Sequence, residues 1–243
     1  MKENAYNNPG FFEKYSKMAR SVKGLEGAGE WHELKKLLPD FNDRRVLDLG
    51  CGYGWHCAYA SDHGAKTVTG VDLSSRMLQE AARRNKRENI TYIQSAMEEF
   101  QTEARSMDAV ISSLAFHYVE NFTELTEKIY DWLVPGGSFV FSVEHPVFTA
   151  YGSQDWYYGT DGEILHFPVD HYYYEGIREA AFLGEKVIKY HRTLTTYVET
   201  LLKTGFSLKD LVEPMPPESM MDLPGMKDEL RRPMMLLIAA EKG

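Results

Sequence analysis

Val46-Leu47-Asp48-Leu49-Gly50-Cys51-Gly52-Tyr53-Gly54 is the stretch that decides the fold. It reads as a short buried strand running into a glycine-rich turn, with helix-like residues after it. Glycine lacks a Cβ, so such a turn can take positive φ and let a ligand touch the backbone. The turn also ends at a helix N-terminus, where free N–H groups and the helix dipole favour a carboxylate or phosphate. Asp72 closes the next apolar run, Thr67-Val68-Thr69-Gly70-Val71. In a βαβ unit that places a carboxylate at the tip of the neighbouring strand, within reach of ribose hydroxyls. The pattern points to a nucleoside-containing cofactor.

The dinucleotide fingerprint is G-x-G-x-x-G, whose third glycine permits close helix–strand packing. Here the spacing is Gly50-x-Gly52-x-Gly54, and Trp55 stands where that fingerprint wants glycine. An indole would obstruct the approach. Asp48, two residues before the first glycine, suits the ammonium group of an amino-acid ligand better than a pyrophosphate. D-L-G-C-G-x-G resembles motif I of the class I S-adenosylmethionine-dependent methyltransferases, in particular the small-molecule, type 11-like group. Val71-Asp72-Leu73-Ser74 resembles their ribose-binding strand end. Asp72 also follows the glycine turn by roughly 20 residues, the spacing a ribose carboxylate needs.

Composition narrows the function classes. The 243 residues suffice for one α/β domain with insertions, and 43% hydrophobic content supports a substantial core. The net charge of −9 argues against a nucleic-acid surface, which shows as a basic stripe. The short basic run Arg83-Arg84 with Lys86-Arg87 reads as the solvated face of a helix. No apolar run approaches the roughly 20 residues a bilayer requires, so no membrane partner is expected. Met1-Lys2-Glu3-Asn4 does not open a signal peptide, and the chain is expected to be cytoplasmic. Cys51 and Cys57, the two cysteines, give neither a disulfide framework nor a zinc site, and no metal is expected.

Along the chain, Phe11, Phe12, Tyr15 and Met18, then Trp31, Leu34, Leu37 and Leu38, recur at helical spacing. Strands are predicted at 46–49, 66–71, 91–94, 109–113 and 138–144, with helices over 55–62, 74–89 and 121–132. Val134-Pro135-Gly136-Gly137 reads as a helix stop. This alternation implies a parallel sheet with helices on both faces. Gly50, Asp72, Ser112 and Glu144 then fall at the carboxyl ends of strands, where ligands bind. From His145 to about Tyr190 the pattern breaks into a segment crowded with aromatics, among them Tyr151, Trp156, Tyr157, Tyr158, Phe167 and Tyr172 to Tyr174. It reads as an insertion whose rings wall the active site. A helix over 193–203, a strand over 206–213, a proline-rich loop and a strand over 234–240 complete the domain.

The resemblance implies a single methyltransferase domain over 1–243. Its fold class is α/β, a Rossmann-like seven-stranded, mostly parallel sheet with helices on both faces and an antiparallel last strand. Residues 1–40 form an N-terminal helical lid and 41–145 the cofactor-binding core. Residues 146–190 form a substrate-capping insertion after the fifth strand, and 191–243 the C-terminal helix and sheet edge. S-adenosyl-L-methionine is the implied cofactor. Asp48 and the turn residues Gly50, Cys51, Gly52 and Gly54 would meet its methionine part, and Asp72 its ribose. Leu73 and Met77 would flank the adenine. Tyr15, Met18 and Arg20 of the lid would close on the methionine end, whose carboxylate an Arg would suit, since guanidinium pairs with it bidentately. Ala96 stands where many relatives have Asp, which leaves adenine recognition to the backbone near Met97 and to Glu98.

Ser112-Ser113-Leu114-Ala115-Phe116-His117-Tyr118 resembles the S-x-x-x-H-x stretch of small-molecule methyltransferases. The Asn/Asp-Pro-Pro-aromatic motif of nucleic-acid amino-methyltransferases is absent. His117, and His145 at the end of the fifth strand, are the candidate catalytic residues, since imidazole titrates near neutrality. Arg192 could anchor an acceptor's carboxylate or phosphate. The expected activity is methyl transfer to an oxygen or nitrogen of a small-molecule acceptor, with a homodimer left open. The competing readings are a nicotinamide-dependent oxidoreductase, a non-catalytic S-adenosylmethionine-binding protein, and the same chemistry on a protein or RNA acceptor.

Overall fold

The computed structural model describes residues 5–243, so the signal-peptide reading of the first four lies outside the described residues. Helices α1 (Pro9–Ser16), α2 (Ala19–Lys23) and α3 (Trp31–Leu37) precede the sheet. The alternating core runs β1 (Arg45–Leu49), α4 (Trp55–Asp62), β2 (Thr67–Asp72), α5 (Ser75–Arg84), β3 (Ile90–Gln94), β4 (Met107–Ser113), α6 (Phe122–Trp132) and β5 (Leu133–Glu144). The next segment holds α7 (Pro146–Ala150), β6 (Tyr157–Tyr158), β7 (Ile164–His166), β8 (Gly176–Phe182) and β9 (Glu185–His191). Helix α8 (Leu194–Thr204), β10 (Phe206–Val212) and β11 (Met235–Lys242) close the chain.

Seven strands form one sheet in the order β10-β11-β5-β4-β1-β2-β3. Strands β1 to β5 pair in parallel, while β11 is antiparallel to both of its neighbours, β5 and β10. The order reverses between β1 and β4, and a crevice opens beyond the strand ends at such a switch point. Side-chain alternation builds a core on each face. Leu47, Leu49, Phe139 and Phe141 pack with Phe122, Ile129, Tyr197 and Leu201 of α6 and α8. Val46, Val68 and Val140 pack on the opposite face with Trp31, Leu34 and Cys57 of α3 and α4.

Two expected boundaries move. The helix read over 74–89 stops at Arg84, because Asn85 turns inward and its Nδ2 donates to Tyr53 O at 2.7 Å. Strand β5 begins at Leu133 rather than 138: Pro135-Gly136-Gly137 is carried as an irregularity in its pairing with β4. The aromatic segment is two small two-stranded sheets, β6–β7 and β8–β9. Trp55 lies against the lid: a Cβ on Gly24 would come 3.1 Å from its ring. The residue that breaks the dinucleotide fingerprint therefore seats the N-terminal segment.

Candidate active site

The turn leaving β1 is tied to β2, since the N–H groups of Gly50 and Cys51 both donate to Val71 O at 2.8 and 3.0 Å. Its glycines take φ values of 75° at Gly50, 52° at Gly52 and 72° at Gly54. Two different reasons lie behind them. A Cβ on Gly50 would lie 2.4 Å from Ala115 Cβ, and one on Gly54 would lie 2.3 Å from the Tyr92 hydroxyl. Nothing lies within 4 Å of a Cβ built on Gly52, which faces a cavity of about 380 Å³. Gly50 and Gly54 are thus demanded by packing, and Gly52 leaves backbone open to a ligand. Gly50→Ala is expected to cost at least about 2 kcal/mol, from left-handed strain plus overpacking against Ala115. A thermal midpoint within a degree of the parent protein would contradict this.

Asp72 sits at the tip of β2 and lines the same cavity. Its Oδ2 accepts from Gly52 N at 2.9 Å and its Oδ1 from Ser74 N at 2.8 Å. Burial pushes its carboxyl up to about 6, against the opposing effect of those two N–H groups. Leu73, Met77, Ala96 and Met97 also line the cavity. From the lid, so do Tyr15 and Arg20. The Arg20 guanidinium grips Glu30 through Nη2 at 2.6 and 2.8 Å, and Ser113 Oγ donates to the same carboxylate at 3.2 Å. Glu30 is 1% exposed, so this pair pins the lid to the end of β4.

The rest of the cavity extends away from the cradle. His117 lines it, and its Nδ1 accepts from Glu144 N at 3.4 Å, which leaves the proton on Nε2. Burial pushes the His117 imidazole down to about 4. At neutral pH it is a neutral hydrogen-bond donor rather than a base. Beside it, Glu144 receives Lys189 Nζ at 2.6 Å and Gln154 Nε2 at 2.7 Å. Burial pushes the Glu144 carboxyl up, but His117 and Lys189 outweigh it and hold the group below the usual carboxylate range.

Other expected residues stand elsewhere. Asp48 does not line the cavity; it is 1% exposed behind the turn, where Cys57 Sγ donates to it at 3.2 Å. Cys51 and Gly54 are buried in the turn, and Ser112 Oγ is spent on Leu49 O at 2.7 Å. None of these three lines the cavity. His145 is corrected as a catalytic candidate: its Nδ1 caps α7 by accepting from Val147 N at 3.0 Å, and its Nε2 lies 2.8 Å from Glu213. With Pro146 at the first helical position, His145 is the N-cap of α7 and does not line the cavity. Arg192, too, is no anchor: it donates to the carbonyls of Val119, Glu120 and Tyr190.

The aromatic insertion contributes Phe182 to the cavity, while Tyr157, Tyr158, Tyr173 and Tyr174 are exposed. The wall instead comes from the loop before β11, through Pro214, Pro216, Met220, Leu223, Met226 and Met234. Six of the eleven methionines fall between 215 and 235, a density that marks an adaptable apolar surface and is readable from sequence. Phe148, Trp156 and Phe167 of the insertion act on this loop by caging Arg232, with ring centroids 4.6, 4.9 and 4.7 Å from the guanidinium. Arg232 in turn holds Glu229 bidentately at 2.8 and 3.1 Å.

Burial pushes the Asp48 carboxyl up to about 7. A group raised in this way contributes stability fully present below its ordinary value and lost as pH rises through about 7. Asp48→Asn removes that loss. It should stabilise the ligand-free protein by about 2 kcal/mol more at pH 8 than at pH 5. Equal melting shifts at the two pH values would contradict a buried, protonatable Asp48.

No helix among the described residues is long and apolar enough to cross a membrane, and no cluster among them could hold a metal ion. Comparison with known proteins agrees with the geometry. A methyltransferase-domain family profile matches residues 47–141. The chain is 31% identical over 248 residues to an uncharacterized protein of Haemophilus influenzae, covering 99% of this chain and 98% of that one. Among solved structures it is similar to a candidate S-adenosylmethionine-dependent methyltransferase from Listeria monocytogenes, at 57% identity and a TM-score of 0.87, over 90% of this chain and 99% of that one. An S-adenosylmethionine-dependent methyltransferase from Mesorhizobium loti is 39% identical with a TM-score of 0.83, over 90% and 100% of the two chains. These relatives set aside the nicotinamide and non-catalytic readings, and with Gly52 open above Asp72 they make this chain a member of the S-adenosylmethionine-dependent methyltransferases.

Proposed function

We propose that the protein transfers a methyl group from S-adenosylmethionine to an oxygen or nitrogen of a small molecule. The observation that carries this reading is one cavity that joins the glycine-turn cradle to an apolar acceptor half under the lid. A sulfonium donor supplies an already activated methyl group, so the protein's part is to hold donor and nucleophile in line. Gly52 gives backbone approach to the methionine part and Asp72 accepts the ribose hydroxyls. Leu73 and Met77 flank the adenine, with Ala96 and Met97 at its edge. Arg20 and Tyr15 face the methionine carboxylate, and the Glu30 pair fixes the guanidinium for it. Asp48 supports the turn from behind without touching the cofactor.

His117 orients the acceptor through its Nε2–H, and the acceptor's own proton leaves to solvent or to a group the acceptor brings. The direct experiment is to incubate the protein with methyl-labelled S-adenosylmethionine and a bacterial extract, then separate the label by size. A labelled product in the fraction below 1 kDa, chromatographically distinct from S-adenosylmethionine and absent without the protein, is expected (a size cut on the order of a cofactor-sized metabolite). Label confined to protein or RNA would overturn the small-molecule reading and keep the methyltransferase.

A further inference from the structure

Among the described residues lining the cavity, Arg20 is the one Lys or Arg, while four carboxylates line it: Asp72, Glu98, Glu144 and Glu229. Arg20 belongs to the cradle end and is engaged with Glu30. Among the described residues, the cations near the acceptor half, Lys189, Arg192 and Arg232, are spent behind its surface. Lys189 is 2% exposed, with its ammonium on Glu144 and Gln154 and 5.4 Å from the Phe182 ring centroid. Arg192 is tied to backbone carbonyls and Arg232 to Glu229. An anionic acceptor would therefore bury its charge beside carboxylates with no counter-ion, which proteins tolerate poorly.

The walls say what the rest of the acceptor is. Met18, Met220, Met226, Met234 and Met235 line them, together with the Phe182 and Tyr118 rings. Thioether sulfur packs well on aromatic rings and adapts its shape to them. Within this apolar space Glu144 offers a carboxylate whose oxygens each hold one further lone pair, because Lys189 and Gln154 take one each. A free lone pair on a buried carboxylate selects for a hydrogen-bond donor.

Resting on the small-molecule reading above, we propose that the acceptor is an aromatic molecule with no negative charge that presents an N–H or O–H donor to Glu144. Glu144 is then the specificity-determining residue of the acceptor half. Lys189 and Gln154 are positioning residues that hold its carboxylate toward the cavity. The same arrangement admits a protonated amine and a neutral hydroxyl, and rejects carboxylates and phosphates.

The test uses three molecules on one frame: tyramine, 4-ethylphenol and 3-(4-hydroxyphenyl)propionate. Each is titrated calorimetrically into the full chain saturated with S-adenosylhomocysteine. Tyramine and 4-ethylphenol are expected to bind at least roughly tenfold tighter than the propionate, which shares their phenolic O–H but must bury a carboxylate without a counter-ion. Glu144→Gln, which keeps the shape and removes the charge, should shrink the tyramine-to-propionate ratio by about the same factor. Propionate binding as tight as the others, an unchanged ratio in Glu144→Gln, or no binding of any congener at millimolar concentration would each overturn the proposal. The ranking in the parent protein decides by itself if the variant does not fold. Normal S-adenosylhomocysteine binding with a failed ranking removes the acceptor class alone, whereas loss of that binding removes the methyltransferase reading beneath it.

Discussion

Asp72→Ala should weaken S-adenosylhomocysteine binding by at least a hundredfold. Two ribose hydroxyls donating to one carboxylate make charge-assisted hydrogen bonds worth about 1.5–3 kcal/mol each. Together that is on the order of 3–6 kcal/mol, or two to four decades in dissociation constant. The substitution does further damage, because Asp72 also receives the N–H groups of Gly52 and Ser74, so the turn loses its brace. The carboxyl is pushed up to about 6 by burial in the free protein, and the ribose hydroxyls need it ionised. Affinity in the unmutated protein should therefore fall as pH drops through about 6. A folded Asp72→Ala protein with an unchanged dissociation constant would remove Asp72 from the site.

Lys189→Met should destabilise the protein by about 3–5 kcal/mol, the cost of stranding one partner of a buried ion pair. For a chain of this size that is a drop of roughly 6–20 °C in the melting midpoint. The loss should depend on pH. In the parent protein Glu144 is held below the usual carboxylate range, so its contribution is present above its ordinary value and constant from pH 5 to 8. Without Lys189, and with the His117 imidazole pushed down to about 4 and so neutral in this range, burial dominates and raises the carboxyl. Its contribution is then present below the ordinary value and lost as pH rises, so the variant should recover as pH falls from 8 to 5. A pH-independent loss of under a kilocalorie, on the scale of an exposed pair, would show that the pair is not buried.

What could be read in the sequence was local. The glycine turn, Asp72, Leu73 and Met77 follow from short spacings within one βαβ unit, and of that set Gly50, Gly52, Asp72, Leu73 and Met77 line the cavity. Asp48 was also local, but spacing does not say which side of the turn a carboxylate takes. Cys57, one turn into α4, draws it inward. The fold was legible because the strands are apolar on both faces and the helices between them have clear stops. The acceptor half was not. Glu144 meets Lys189 across 45 residues of sequence, through a hairpin with no periodic signature.

The aromatic insertion illustrates the limit. Its ring density suggested a wall around the acceptor, yet three of those rings cage Arg232 and act one layer back. Composition gave the chemistry of the segment but not the direction its side chains face. The methionine-rich loop that forms the wall has neither helical nor strand period, so pattern reading passes over it. Its marker was the clustering of methionines, which speaks of surface type and not of secondary structure.

The most direct test of the account is a calorimetric titration of the purified protein with S-adenosylhomocysteine, with NADH in parallel. Micromolar or tighter binding of S-adenosylhomocysteine, a free energy of about −8 kcal/mol or better, with none for NADH, is the predicted result. NADH binding without S-adenosylhomocysteine binding would contradict the assignment of the glycine turn and everything built upon it.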